Sequence, residues 1–194
     1  SIFIASNISC TNGSVSAIAM GNNIFVGSST ATPSNITTTG PGTILLQAEN
    51  NVIAAASPVA GGTCNISSAT GNVTLKATVG SISLGSLTSR DVTHVSSTSG
   101  TIQLTSRQGI NIIGGNAASA DTTVFTSTVT APIQVSVTGQ GDLTINSTTA
   151  VAHAALGSNT GNCGSVTINL ANGNIAMNST ASSNVFTDFA CLIG

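Results

Sequence analysis

Side chains able to do chemistry are scarce in this chain, and their spacing limits what they can do. Three Lys or Arg, five Asp or Glu and two His are spread over 194 residues, so 4% of the sequence is charged, against about 25% in an ordinary domain. Asp91 and His94, beside Arg90, are the one acid and imidazole close together in sequence. A carboxylate that orients a catalytic imidazole must reach it, and in a strand residues three apart face opposite sides. The pair therefore reads as a charged corner with a local Arg90–Asp91 interaction. His153, in Val151-Ala-His-Ala-Ala, reads as an exposed side chain rather than a ligand. Asp91, Asp121, Asp142 and Asp188 fall at different offsets of the repeat described below, so no two carboxylates are set to share a glycosidic bond. No catalytic residue, no metal site, no cofactor and no enzymatic activity are expected. Three cations cannot cover a phosphate backbone, which excludes nucleic acid as a partner, and no run of 18 apolar residues exists to insert in a membrane.

The four cysteines are Cys10, Cys64, Cys163 and Cys191. None forms a C-x-x-C pair and neither His lies near them in sequence, which argues against zinc. An even number at wide spacing, in a Ser/Thr-rich chain, fits disulfides made in an oxidising compartment. Cys10 with Cys64 and Cys163 with Cys191 is the preferred pairing; four buried free thiols are the alternative.

The elements that must position these residues are strands. A phrase recurs in which Gly and a polar residue precede alternating apolar positions: Gly42-Thr-Ile-Leu-Leu-Gln-Ala, Gly71-Asn-Val-Thr-Leu-Lys-Ala, Gly100-Thr-Ile-Gln-Leu-Thr-Ser. It returns at Gly141 and Gly164, with a weaker first copy at Gly13. Gly13, Gly42, Gly71 and Gly100 are 29 residues apart. Alternation of period two predicts strands, and a fixed step predicts coils. The apolar residues are mostly Ile, Val, Leu and Ala, with five Phe and no Trp or Tyr, which suits a narrow interior. The fold class expected is all-β, a parallel β-helix (β-solenoid) of six or seven coils in one domain over residues 1–194, roughly 30 Å tall. A β-sandwich is the second choice. Residues 1–12 are read as an N-terminal strand, cap or joint, 13–178 as the repeats, about 115–140 as a longer insertion, and 179–194 as a C-terminal cap or joint. The leading glycines are read as supplying backbone freedom for tight corners.

Aligning the copies on their leading glycines puts Thr74, Thr105, Thr144, Asn146, Thr167 and Asn169 on an outward face, as a reinforcing ladder or a recognition surface. Thr126, Thr128 and Thr130 alternate in the insertion, a pattern that could order water. An ice-binding solenoid with a flat Thr/Asn-rich face is therefore the alternative function.

The phrase Gly-x-Val-x-Leu-x-Ala-x-x-Gly-x-Ile-x-Leu at Gly71 to Leu84 resembles the repeats of filamentous-haemagglutinin-like and autotransporter passenger proteins. The resemblance spans roughly Gly13 to Asn178. It implies a right-handed β-helix exported by a bacterium and displayed at the cell surface as an adhesin or fibrous element; it transfers no functional residue. Solenoid ends carry unpaired edges that need caps or become joints. Ser1, Ile2, Phe3, Ile4 and Ala5 at one end, and Phe186, Phe189 and Leu192 at the other, are candidate subunit joints. The function expected is a non-catalytic, extracellular or cell-surface structural protein, a segment of a fibre, sheath or adhesin. Its partner is itself, or a cell-surface glycan. With so few charges, the melting temperature should move little between about pH 4 and 9.

Overall fold

The computed structural model describes residues 1–147, 152–157 and 164–179. Among them every regular element is a strand, and the strands recur in threes. The first coil is β1 (Ile2–Ile4), β2 (Ile8–Cys10) and β3 (Val15–Ala19); the second is β4 (Ile24–Val26), β5 (Ile36–Thr38) and β6 (Ile44–Ala48). The third is β7 (Val52–Ala54), β8 (Cys64–Ser68) and β9 (Val73–Ala77); the fourth is β10 (Ser81–Leu84), β11 (Thr93–Ser97) and β12 (Ile102–Ser106). The fifth is β13 (Gly109–Ile113), β14 (Thr122–Thr126) and β15 (Ile133–Gln140), and the sixth β16 (Leu143–Ser147), β17 (Ala154–Leu156) and β18 (Val166–Asn172). β19 (Ile175–Ser179) starts the next turn. Each strand pairs in parallel with the third one along, giving three sheets. Sheet I runs β1-β4-β7-β10-β13-β16-β19, sheet II β2-β5-β8-β11-β14-β17 and sheet III β3-β6-β9-β12-β15-β18. The protein is a parallel β-solenoid.

Alternation decides which side chains enter the core, and parallel register stacks like on like. On sheet I, Ile24, Val52, Ile82, Ile110 and Leu143 lie in one column; on sheet II, Ile36, Ile66, Val95, Val124 and Leu156 do so. All ten are wholly buried. β-Branched and leucine side chains fill this thin prism without aromatic bulk.

Glycines recur at all three corners, and at the II–III and III–I corners the reason is proximity rather than dihedral freedom. At the II–III corner, a Cβ on Gly42 would overlap the carbonyl oxygen of Gly13, one on Gly71 that of Gly42, and one on Gly100 that of Gly71. None of these three has a positive φ. A buried hydroxyl fastens the same corner: Ser68 Oγ donates to Gly42 O (3.0 Å) and accepts from Gly71 N–H (2.9 Å). Ser97 repeats this with Gly71 O and Gly100 N–H. Gly80, Gly141 and Gly173 form a separate stack at the III–I corner, over Asn50, Gln108 and Gly141. Gly141 therefore does not lead a sheet III strand, as the phrase alignment expected; Leu143–Ser147 belongs to sheet I.

The stretch read as an insertion is a regular coil. Within residues 115–140, β14 pairs with β11 and β15 with β12 through five residues each. Thr126 points into the core, where its Oγ1 donates to Ala131 O (2.7 Å). The Thr126–Thr128–Thr130 row is thus not an outward face, because the strand ends at Thr126.

Candidate functional site

Stacking brings together residues that sequence distance kept apart. Asp121 precedes β14 and His153 precedes β17, one coil on. Asp121 Oδ1 accepts from the His153 N–H (2.7 Å) and lies 3.1 Å from His153 Nδ1. Among the described residues no other Lys, Arg or His nitrogen lies within ion-pair distance of a carboxylate, and both side chains are partly exposed. His94 faces outward from β11, with its ring edge-on to Phe125. Burial pulls the His94 pKa down, while the nearby Asp121 charge pulls it up. Asp91 lies outside the strand, and its carboxylate accepts the Gly61 N–H, so the local Arg90–Asp91 pair expected from sequence is not formed. No group of three or more His, Cys, Asp or Glu gathers as metal ligands among the described residues.

Cys10 and Cys64 are free thiols, not a disulfide. Register explains why. Cys10 pairs with Thr38, which pairs with Ser68, so Cys10 lies two strands from β8 and at the opposite end of it from Cys64. Disulfide geometry cannot span that gap. Burial pushes the Cys64 thiol up to about 12, which makes it inert. Cys163 and Cys191 lie outside the described residues.

The six residues expected on one recognition face divide between two. Thr74, Thr105, Thr167 and Asn169 stand on sheet III, and Thr144 and Asn146 on sheet I. The sheet III residues adjoin Gln103, Gln134 and Ser136, and Thr105, Thr167 and Asn169 line with these a shallow depression of about 390 Å³. The Asn ladders lie elsewhere, at the start of the strands. Asn7 Oδ1 accepts the Asn35 N–H (3.0 Å) and Asn35 Oδ1 the Asn65 N–H (2.9 Å) on sheet II. On sheet I, Asn23 Oδ1 accepts from Asn51 N–H and Asn51 Oδ1 from Ser81 N–H, both at 2.9 Å. Asn72 takes Thr101 N–H on sheet III, and Asp142 takes Asn174 N–H on sheet I. In every case a side-chain oxygen of one coil receives an amide of the next. A readable signal existed: Asn directly before Ile or Val recurs at 7, 23, 35, 51, 65 and 72.

The first coil lies at one end of the described stack. β1, β2 and β3 are each the edge strand of a sheet. Phe3 is 71% exposed and stacks face to face on Phe25, with centroids 4.9 Å apart. Ile8, which heads the sheet II core column, is 37% exposed, and Ile2, Val15 and Ala17 are half-buried where their successors in later coils are sealed. Ser1 and Ala5 flank β1 and are exposed; Ile4 is buried. Phe186, Phe189 and Leu192, the candidate joint at the other end, lie outside the described residues. Comparison with family models, with curated proteins and with solved structures gives no match for this chain.

Proposed function

We propose that this protein is a non-catalytic structural element, an extracellular β-solenoid that associates with itself in a cell-surface fibre, sheath or adhesin. The observation that carries this reading is the first coil, with three edge strands, a partly exposed apolar core layer and no charged side chain before Glu49. Natural sheets blunt such edges with lysine, proline or a covering segment; among the described residues none of these protects the edge strands of the first coil. The repeat resemblance to filamentous-haemagglutinin-like passengers supports display at a bacterial surface, and the low charge opposes packing weakly. Negative-stain electron microscopy over a concentration series tests the proposal. Ordered filaments or sheets are expected; dispersed short rods at every concentration would overturn it.

A second reading rests on sheet II. Its outer face sets Asn7, Asn35 and Asn65 in one column beside Ser9, Thr37, Ser67 and Ser96 in another, all small, polar and uncharged. Regular hydroxyls on a flat face favour ice binding, and thermal hysteresis by the dispersed protein would identify it.

A further inference from the structure

Both ends of sheet I are edges. β1 has a partner only in β4, and among the described residues β19 has one only in β16. Among the described residues nothing stacks on the outer edge of either strand. On β19, Ile175 and Met177 continue the inward columns of Leu143 and Ile145, yet they are 45% and 48% exposed. On β1, Ile2 and Ile4 begin those same columns.

Charge marks the same two places by its absence. No Asp, Glu, Lys or Arg occurs before Glu49, and none occurs between Asp142 and Asp188. Glu49, Lys76, Arg90, Asp91, Arg107, Asp121 and Asp142 lie between these stretches, Asp142 at the corner one coil before Asn174. Neither edge carries the gatekeeping charge that keeps strands from pairing.

The corner bonds add a direction. A side-chain oxygen always receives an amide from the following coil, as Asn23 receives Asn51 N–H. Asn174 holds the same corner position before β19 that Asn23 holds before β4. Ser1 holds it before β1, where no preceding oxygen serves it. The backbone follows the same rule: Ile24 N–H and Leu143 N–H each donate to the coil that follows, at Asn51 O and Asn174 O. Ile175 N–H, in that column, is therefore set to donate onward.

Resting on the self-association proposed above, we infer that copies join head to tail, with β19 of one pairing in parallel and in register with β1 of the next. Ile175 then faces Ile2, Ala176 faces Phe3 and Met177 faces Ile4, so sheet I and two core columns run unbroken across the joint. Asn174 Oδ1 accepts from the Ser1 nitrogen. Ala176 places a methyl group under the free face of Phe3, whose other face already rests on Phe25. A head-to-head joint would be antiparallel and would set amide corners against amide corners.

Thiol crosslinking reads both polarity and register. Phe3→Cys and Ala176→Cys are made separately in a Cys10→Ser, Cys163→Ser, Cys191→Ser background, one of the two carrying a size tag. Circular dichroism checks each variant against the parent. With a short bismaleimide, the expected product is a mixed dimer that forms when the two variants are combined and in neither alone. The Ser1→Cys and Asn174→Cys pair should behave the same way and stands in if a substitution at Phe3 disturbs β1. Dimers from Phe3→Cys alone, or from Ala176→Cys alone, would overturn the polarity. Filaments of the unsubstituted chain, with neither pair crosslinking, would overturn the joint while leaving self-association intact. Rods that stay single in the unsubstituted chain would overturn both.

Discussion

The II–III corner and the I–II corner both turn the chain from one sheet to the next, by opposite means. At the II–III corner, glycine carbonyls of successive coils stack so closely that a methyl group does not fit, and a buried Ser or Thr ties each turn to the one before. At the I–II corner the links are longer, covering residues 27–35, 55–63, 85–92 and 114–121. The first three of these, with Phe25 and Ile53, border an apolar depression of about 280 Å³. The II–III corner holds its coils by stacked glycines and buried hydroxyls; the I–II corner carries longer links in which some glycines, such as Gly61, have room.

Substitution at the two corners should separate these roles. Gly71→Ala drives a methyl group into backbone, which can yield only by parting two coils, and should cost about 3 kcal/mol or more. Gly61→Ala, in an I–II link, has room: the nearest atom is Ala31 O at 3.5 Å. Its penalty is the left-handed backbone (φ 95°), about 1 kcal/mol. Urea unfolding of both variants measures the gap, and equal losses would erase the distinction.

Removing the fastener without filling space is the milder break. Ser68→Ala leaves the Gly71 N–H buried without its acceptor and should cost roughly 1–3 kcal/mol. Ser67→Ala, one residue away on the outer face, should stay within about 0.5 kcal/mol. A Ser67 variant as unstable as the Ser68 one would show that the corner hydroxyl has no special part.

The smallest effect concerns pH. Burial holds the folded His94 pKa below its ordinary 6.5, so below that pH the unfolded chain takes up the proton more readily. Stability should therefore be full above about pH 6.5 and decline as pH falls through and below it. His94→Asn, which extends the Asn7–Asn35–Asn65 column by one coil, should flatten that acid limb. Melting curves from about pH 4 to 8 compare the two; identical acid slopes would remove His94 from the account.

The strands and their inward faces were legible because alternation of period two survives in nearly every coil, as at Val73–Leu75–Ala77 and Ile102–Leu104. The coil length was legible only where the II–III corner repeats. The fifth coil replaces its glycine with Ala131 and Pro132, so the leading-glycine alignment jumped to Gly141, on a different corner, and carried Thr144 and Asn146 to the wrong sheet. The cysteine pairing failed for a related reason: without register, parity of count says nothing about which strands are neighbours. Asp121 and His153 were invisible as a pair because each is ordinary alone, and only the stacking step brings them to 3.1 Å. The corner Asn residues were countable but looked like composition bias in a chain rich in Ser, Thr and Asn.

Ladder hydrogen bonds in this molecule lie along its long axis. Tension applied to the two ends therefore loads every coil boundary in series, and each boundary bears the whole force at once. Strength is then set by the poorest junction rather than by the sum. β1–β4 and β2–β5 hold three residue pairs each, whereas β11–β14 and β12–β15 hold five. A stretched rod yields first near its beginning, shedding early coils while the middle stays wound.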